Sequence, residues 1–377
     1  MDPENSLRIM PDSLKAFCAR IFERHGISVE DAATVADSLV EADVRGISSH
    51  GVARLGAYLG ELRAGYIQPR AEVQVVSETP VIALIDGGGG LGQPISKRAM
   101  QLAMHKASEL GAGFVTVRNS NHYGTASYYA MMALEQQMIG ISMTNAAPLA
   151  VPTFGRDAKL GTNPISVAAP AGKERPFVLD MATSTVSLGK LEVYDRTETP
   201  LPLGWATDET GQATSNAARV IHNMNRRDGP LHGGLLPLGG VGELLGGHKG
   251  YGLALMVDIL SGVLPGAGYA DNMYLADEEG RGLPANVGHF FGAFRIDAFR
   301  PVDEYKAAMD DLILRVKTSP KAAGQARIYI HGEKEFETTE ESQRNGILLH
   351  PAVVASLRAI SGESGVPFED ESARHTG

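Results

Sequence analysis

The side chains best suited to chemistry in this sequence are histidines set among small polar residues. His122 lies in NSNHYGTASYYA (119–130), directly after the apolar run GFVTVR (113–118). Loops that follow strands of an α/β sheet are where ligands collect. A histidine there can give and take a proton near neutral pH. It can equally be a loop histidine satisfied by its neighbours. His50 and Arg54 lie in SSHGVARLGAY (48–58). If a helix starts near Ser48 or Ser49, the two are four residues apart on one face. An arginine fork can hold a carboxylate in a bidentate pair, and a histidine beside it can add a hydrogen bond. The same pair also fits a capped surface helix with two solvated cations.

Asp180 ends the apolar run FVLD (177–180). It can orient a partner or cap a helix. Lys249, in GGHKGYG, stands at a glycine-rich start of the apolar helix 252–264. That is a natural anion seat, suited to a cofactor phosphate, and equally a plain exposed lysine. The segment 144–166 carries Pro148, Pro152 and Pro164 with short polar groups, so its backbone is free to meet a ligand. Gly87, Gly89 and Gly92 fit G-x-G-x-x-G between a strand and a helix. The strand that follows ends at Arg118-Asn119 with no acid to hold a ribose, so a strand-to-helix turn is the preferred reading. No H-x-x-x-H or C-x-x-C spacing supports a metal. Cys18 lies on the apolar stripe of a helix and there is no G-x-S-x-G, so nucleophilic catalysis is unsupported.

The elements that must position these residues follow from hydrophobic periodicity. Residues 13–25 predict an amphipathic helix with Leu14, Phe17, Cys18, Ile21 and Phe22 inward. Ser28 and Asp31 open a second helix, and a third is predicted from about 49 to 64. From about residue 72 the texture changes. VQVV, VIALID, GFVTVR, IGISMTN (139–145), FVLD and ARIYIHG (326–332) predict strands. Helices are predicted after the glycine run, near 124–137, at 252–264, at 302–317 and from Pro351 onward. The stretch 214–247 reads as an irregular excursion. The implied division is a helical part, 1–75, packing with helices of about 300–377, and an α/β cofactor-binding and catalytic part, 76–300.

The 377 residues suggest about two domains. With 34 basic and 44 acidic residues the chain carries −10 at neutral pH, which disfavours nucleic acid as a partner. One cysteine cannot form an intrachain disulfide, and a reducing cytoplasm fits. The start, MDPENSLRIM, shows no apolar core of a signal peptide, and no apolar run reaches membrane-spanning length.

Seven segments taken in order resemble the malate/L-lactate dehydrogenase family of the second, non-Rossmann, sulfolactate/ureidoglycolate dehydrogenase-like type. They are EADVRGISSHGVARLGAYL (41–59), IDGGGGLGQ (85–93), VRNSNHYGTASYYA (117–130), NAAPLAVPTFGRDAKLGTNPIS (145–166), FVLDMATSTVSLGK (177–190), LPLGG with GGHKGYGLALMVDILSGVLPGAG (236–268), and HFFGAFRIDAF (289–299). The resemblance implies an α/β, L-sulfolactate dehydrogenase-like fold with helical N- and C-terminal parts, and NAD or NADP as cofactor. The glycine run then belongs to the scaffold. His122 matches the family's general acid/base. Ser49, His50 and Arg54 match the segment that faces substrate and nicotinamide. His50, Asn145, Ala146, Pro148, Thr162, Asn163, Asp180, Met181, Ala182 and Lys249 match cofactor-lining positions. The family's members are homodimers or larger. The segment ARVIHNMNRRDGPLHGG (218–234) does not align.

The expected reaction is reversible hydride transfer between a nicotinamide and a 2-hydroxy/2-oxo acid such as malate or L-lactate. Arg54 would grip the carboxylate with Ser49 and His50 helping, and His122 would move the proton. Asp180 is kept both as an orienting catalytic residue and as a cofactor contact. Two alternatives stand beside it: a cyclic imino-acid reductase on the same scaffold, and a binding protein for NAD(P) without catalysis. Arg118 and Arg156 are candidate partners of a 2′-phosphate.

Overall fold

A computed structural model describes residues 7–225, 232–273 and 283–368. The first six residues of the N-terminal segment, and residues 226–231 of the unaligned excursion, lie outside it. In chain order the elements begin with β1 (Leu7–Ile9), α1 (Pro11–Arg24), α2 (Val29–Val44) and α3 (Leu55–Arg63). The middle of the chain carries β2 (Gln74–Glu78), β3 (Ile82–Asp86), α4 (Gly92–Leu110), β4 (Ala112–Ser120), α5 (Ala126–Ala130), β5 (Met138–Thr144), β6 (Ile165–Ala169) and β7 (Phe177–Met181). Then follow α6 (Leu188–Arg196), β8 (Ala206–Thr207), α7 (Ala217–Met224), β9 (Gly234–Leu235), α8 (Gly247–Asp258) and β10 (Val287–Arg295). The chain closes with α9 (Val302–Lys317), α10 (Glu333–Asn345), β11 (Ile347–Leu349) and α11 (Pro351–Ser364).

Seven strands form one sheet in the order β2-β3-β4-β10-β5-β6-β7. Only β3 and β4 run parallel; every other neighbouring pair is antiparallel. This is a mixed α/β fold and not a doubly wound parallel sheet. α4 and α5 cover one face, burying Ile95, Ala99, Ala103, Val115, Val117, Tyr129 and Phe291 in one core. A second core joins the two ends of the chain: Phe17, Ile21, Phe22 and Leu39 pack with Ile347, Leu349, Val354 and Leu357. The pairing of β1 with β11 ties the same ends together.

The glycine run has a specific use here. Gly88 and Gly89 take φ +59° and +72°, conformations open to glycine without strain. The Gly87 and Gly89 N–H groups donate to the carbonyls of Arg118 and Asn119 at 2.9 and 2.8 Å. The Asn121 amide donates to the carbonyls of Gly89 and Gly90. A Cβ at Gly92 would overlap the backbone oxygens of Asn121 and His122. The N-terminus of α4, where a dinucleotide fingerprint would receive a pyrophosphate, is covered by the protein's own loop. The run therefore shapes the loop that carries His122. Gly92→Ala is expected to cost about 1–3 kcal/mol, the range for overpacking. Its check is a urea titration, and an unchanged midpoint would refute the close approach.

Several expectations need correction. The segment 326–332 is not a strand; a single backbone hydrogen bond, from the Val178 N–H to the His331 carbonyl, ties it to β7. The helix expected from residue 49 begins only at Leu55, after two short 3₁₀ turns at Ser48–His50 and Val52–Arg54. Gly51 separates the turns because the Asp43 carboxylate occupies the place of a Cβ there and accepts the Val52 N–H at 2.7 Å. α8 starts at Gly247, earlier than expected, so Lys249 lies inside its first turn. The excursion 214–247 contains α7 and β9 among its described residues.

Candidate active site

His122 follows β4, in the loop held by the glycine run. His50 belongs to the 3₁₀ turn that α2 presents from the helical end of the chain. The fold brings them together: their rings stack with centroids 5.6 Å apart and planes 27° from parallel. Ser49 Oγ and His50 Nδ1 are 2.9 Å apart, and Arg54 Nε donates to the Ser49 carbonyl at 2.8 Å. The Arg54 side chain is exposed beside this pair. So Ser49, His50, Arg54 and His122 form one cluster, though the helical i, i+4 geometry expected for His50 and Arg54 is replaced by turns.

Two further groups of the cluster escaped the sequence reading. Tyr58, buried on α3, places its hydroxyl 2.6 Å from His122 Nδ1. It stands four residues after Arg54, a spacing that could have flagged it. His289, fully buried on β10, bonds Thr144 Oγ1 at 2.7 Å and Ser120 Oγ at 2.8 Å through its two ring nitrogens. Its ring lies parallel to Tyr123, the residue after His122, at 4.7 Å and 5°. No spacing in the sequence signals this contact, because β10 is brought beside β4 only by the sheet order.

The electrostatics differ from expectation. Burial, then the neighbouring His50, Arg54 and His289, push the His122 pKa down to about 3. Burial and Arg54 push His50 down to about 4. Both shifts favour the neutral imidazole in the ligand-free site, away from the expected titration near neutral pH. A bound carboxylate opposite Arg54 would remove much of that repulsion and draw the proton back. Tyr58→Phe is expected to preserve the fold and lower kcat about 10-fold, through loss of one hydrogen bond of about 1–1.5 kcal/mol that fixes the imidazole. Steady-state rates with unchanged KM would bear this out; unchanged kcat would remove Tyr58 from the site's machinery.

A cleft of about 490 Å³ opens beside His50. Ser49, His50, Thr162, Asp180, Met181 and Ala182 line it, with Arg45 and Ser127. Asp180 accepts the Ser127 N–H at 2.8 Å, and burial raises its pKa. Not all of the expected cofactor positions share this cleft. The amide of Asn145 is spent on the carbonyl of Gly268 and the N–H of Gly288. That of Asn163 serves Ala254, Asp258 and the N–H of Ala146. These side chains hold the scaffold on which Ala146 and Pro148 sit half-buried. Lys249 and Arg156, paired with Asp157, are exposed and outside the cleft lining, and the half-buried Arg118, paired with Asp86, is outside it too. Among the described residues no group of three or more His, Cys, Asp or Glu could hold a metal. None of their helices is long and apolar enough to cross a membrane.

The sequence pattern described as malate/L-lactate dehydrogenase matches residues 9–358. A malate dehydrogenase of Pyrococcus abyssi is 47% identical over 363 residues, 96% of each chain. An L-sulfolactate dehydrogenase of Methanocaldococcus jannaschii is 36% identical over 371 residues, 98% of each chain. The solved malate dehydrogenase of Entamoeba histolytica superimposes with a TM-score of 0.90 at 32% identity, covering 96% of this chain and 99% of its own. Matched along nearly its whole length in both sequence and fold, the chain belongs to the malate/L-lactate dehydrogenase family.

Proposed function

We propose that this protein catalyses reversible hydride transfer between NAD(H) or NADP(H) and a 2-hydroxy/2-oxo acid of the malate or L-lactate class. Membership of the family carries the coarser part: the chain is an oxidoreductase acting on a hydroxy acid. The observation that carries the rest is the stacked His50–His122 pair, with Arg54 beside it and the cleft opening at His50. Support for a nicotinamide dinucleotide there comes from a lining that sets the cations Arg45 and Lys334 beside the acceptors Asp180 and Glu335. His50, Thr162, Asp180, Met181 and Ala182 would hold it, and the backbone of 145–148 and Lys249 would complete the contact from outside this cleft.

The cofactor, when bound, supplies the carbon that gives or receives hydride. The rest falls to the protein. Arg54 holds the substrate carboxylate, and Ser49 and His50 orient it, which fixes the face of C2 presented for transfer. His122 Nε2 makes no hydrogen bond among the described residues and is the atom left for the substrate oxygen. In oxidation, neutral His122 takes the hydroxyl proton at Nε2 while Nδ1 donates to the Tyr58 oxygen. In reduction the imidazolium returns that proton to the oxygen as negative charge builds there. Asp180, beside the cofactor, keeps the Ser127 backbone in place. We further propose a homodimer or larger assembly, supported by the exposed Leu244, Leu245, Ile259 and Val263 around α8.

The test is a panel of 2-oxo acids and cyclic imino acids with NADH and NADPH, followed at the nicotinamide absorbance. Turnover of oxaloacetate or pyruvate supports the proposal. Turnover confined to a cyclic imine would reassign the scaffold to imine reduction. Cofactor binding without turnover would leave a non-catalytic binding protein.

A further inference from the structure

Arg45 is the least satisfied charge in the described chain. It caps α2, is 4% exposed, and lines the cleft. Its Nε is buried without a hydrogen-bond partner, and among the described residues no carboxylate forms an ion pair with it. Its guanidinium stacks over the Phe336 ring, 5.1 Å from the centroid. Glu41, Glu335 and Asp180 act on it only at longer range. A buried charge without a direct partner is costly, and clefts keep such groups for a ligand.

We propose that Arg45 anchors the carboxamide of the nicotinamide, donating to its oxygen while Asp180 accepts from its NH₂ group. The proposal rests on the functional reading above. Three features select this group. Asp180 and Glu335 line the same cleft as Arg45 and Lys334, so its fixed charges balance and a neutral group suits it better than a phosphate. A neutral group with one acceptor and one donor meets Arg45 and Asp180 together. Asp180 gives one oxygen to the Ser127 N–H and retains acceptor capacity on the other. Finally, His50 lines this cleft and stacks on His122, to which the functional reading gives the proton transfer. The carboxamide is attached to the ring carbon next to the one that exchanges hydride, so its anchor must lie at this end of the cleft. Held there, it fixes which way the reacting carbon points.

The test compares binding of two ligands by calorimetry: the reduced cofactor that the wild type prefers, and the matching fragment without nicotinamide. That fragment is ADP-ribose, or its 2′-phosphate if the enzyme takes NADPH. Arg45→Met is expected to weaken cofactor binding about 10–100-fold, the range for a hydrogen bond to a charged group, and to leave the fragment within about twofold. Arg45→Lys should fall between, since a point charge replaces a planar fork. The ligand-free melting temperature of Arg45→Met should stay level or rise, because an unpaired buried charge is removed. Equal loss for both ligands, or no loss for either, in both variants would overturn the proposal while leaving the functional reading standing. A wild type that binds neither NADH nor NADPH would overturn both.

Discussion

His122→Asn is expected to lower kcat about 10²–10⁴-fold, the usual contribution of a positioned acid/base. The fold and cofactor affinity should survive. An asparagine amide reaches the place of Nδ1, so the bond to Tyr58 at 2.6 Å can be kept while Nε2 is lost. The wild-type pH profile follows from the depressed pKa of about 3. Oxidation needs neutral His122, so kcat/KM for the hydroxy acid should be flat with respect to this group from about pH 5 upward. Reduction needs the imidazolium, the minor form at every pH above about 3. Its kcat/KM should therefore fall about tenfold per pH unit across the range 5–8, with no plateau near 6.5. The profile of kcat should break at a higher pH, because a carboxylate opposite Arg54 favours the charged imidazole. Near-normal turnover with an unchanged profile in the variant would remove His122 from the mechanism and leave His50 as the next candidate.

Arg54→Lys is expected to raise KM for the 2-oxo acid about 10–100-fold with little change in cofactor affinity. The estimate is the loss of a charge-assisted hydrogen bond of about 1.5–3 kcal/mol, since an ammonium cannot reproduce the bidentate fork. A second effect follows from the same charge. Arg54 is one of the groups that lower the pKa of His122 and His50, and lysine keeps that charge, so the pH profile should barely move. Arg54→Met should raise KM further and also shift the break in kcat/KM upward. An unchanged KM in both variants would show that Arg54 is not the carboxylate clamp.

The helices were legible because their apolar stripes are long and regular. Leu14, Phe17, Cys18, Ile21 and Phe22 all face the core as the 3.6-residue period demands. The glycine run was legible as scaffold from one missing acid after Arg118. What its glycines do, packing α4 against the backbone of His122, depends on contacts between segments and has no local signature. α10 was missed because it is polar almost throughout, with only Glu333 and Ser342 buried. The segment 326–332 misled for the opposite reason: its alternating isoleucines suit a strand, yet it lies along β7 with one backbone bond. In the site, His50, Arg54 and His122 were identified by residue type within polar surroundings. Their true geometry turns on Asp43, whose carboxylate fills the space beside Gly51 and breaks the expected helix into turns. Tyr58, His289 and Arg45 carry no chemical motif of their own. They become visible only when strands and helices far apart in sequence converge.

The central claim, direct hydride transfer to C2 of a 2-oxo acid, is tested most directly by isotope transfer. The reduced cofactor is prepared with deuterium on either face of nicotinamide C4 and incubated with enzyme and the best 2-oxo acid from the panel. One of the two labelled forms should place a single deuterium on C2 of the hydroxy acid, read by mass spectrometry and proton NMR, with none lost to water. Product formed without label from either form would contradict direct transfer, and with it the role assigned to this cleft.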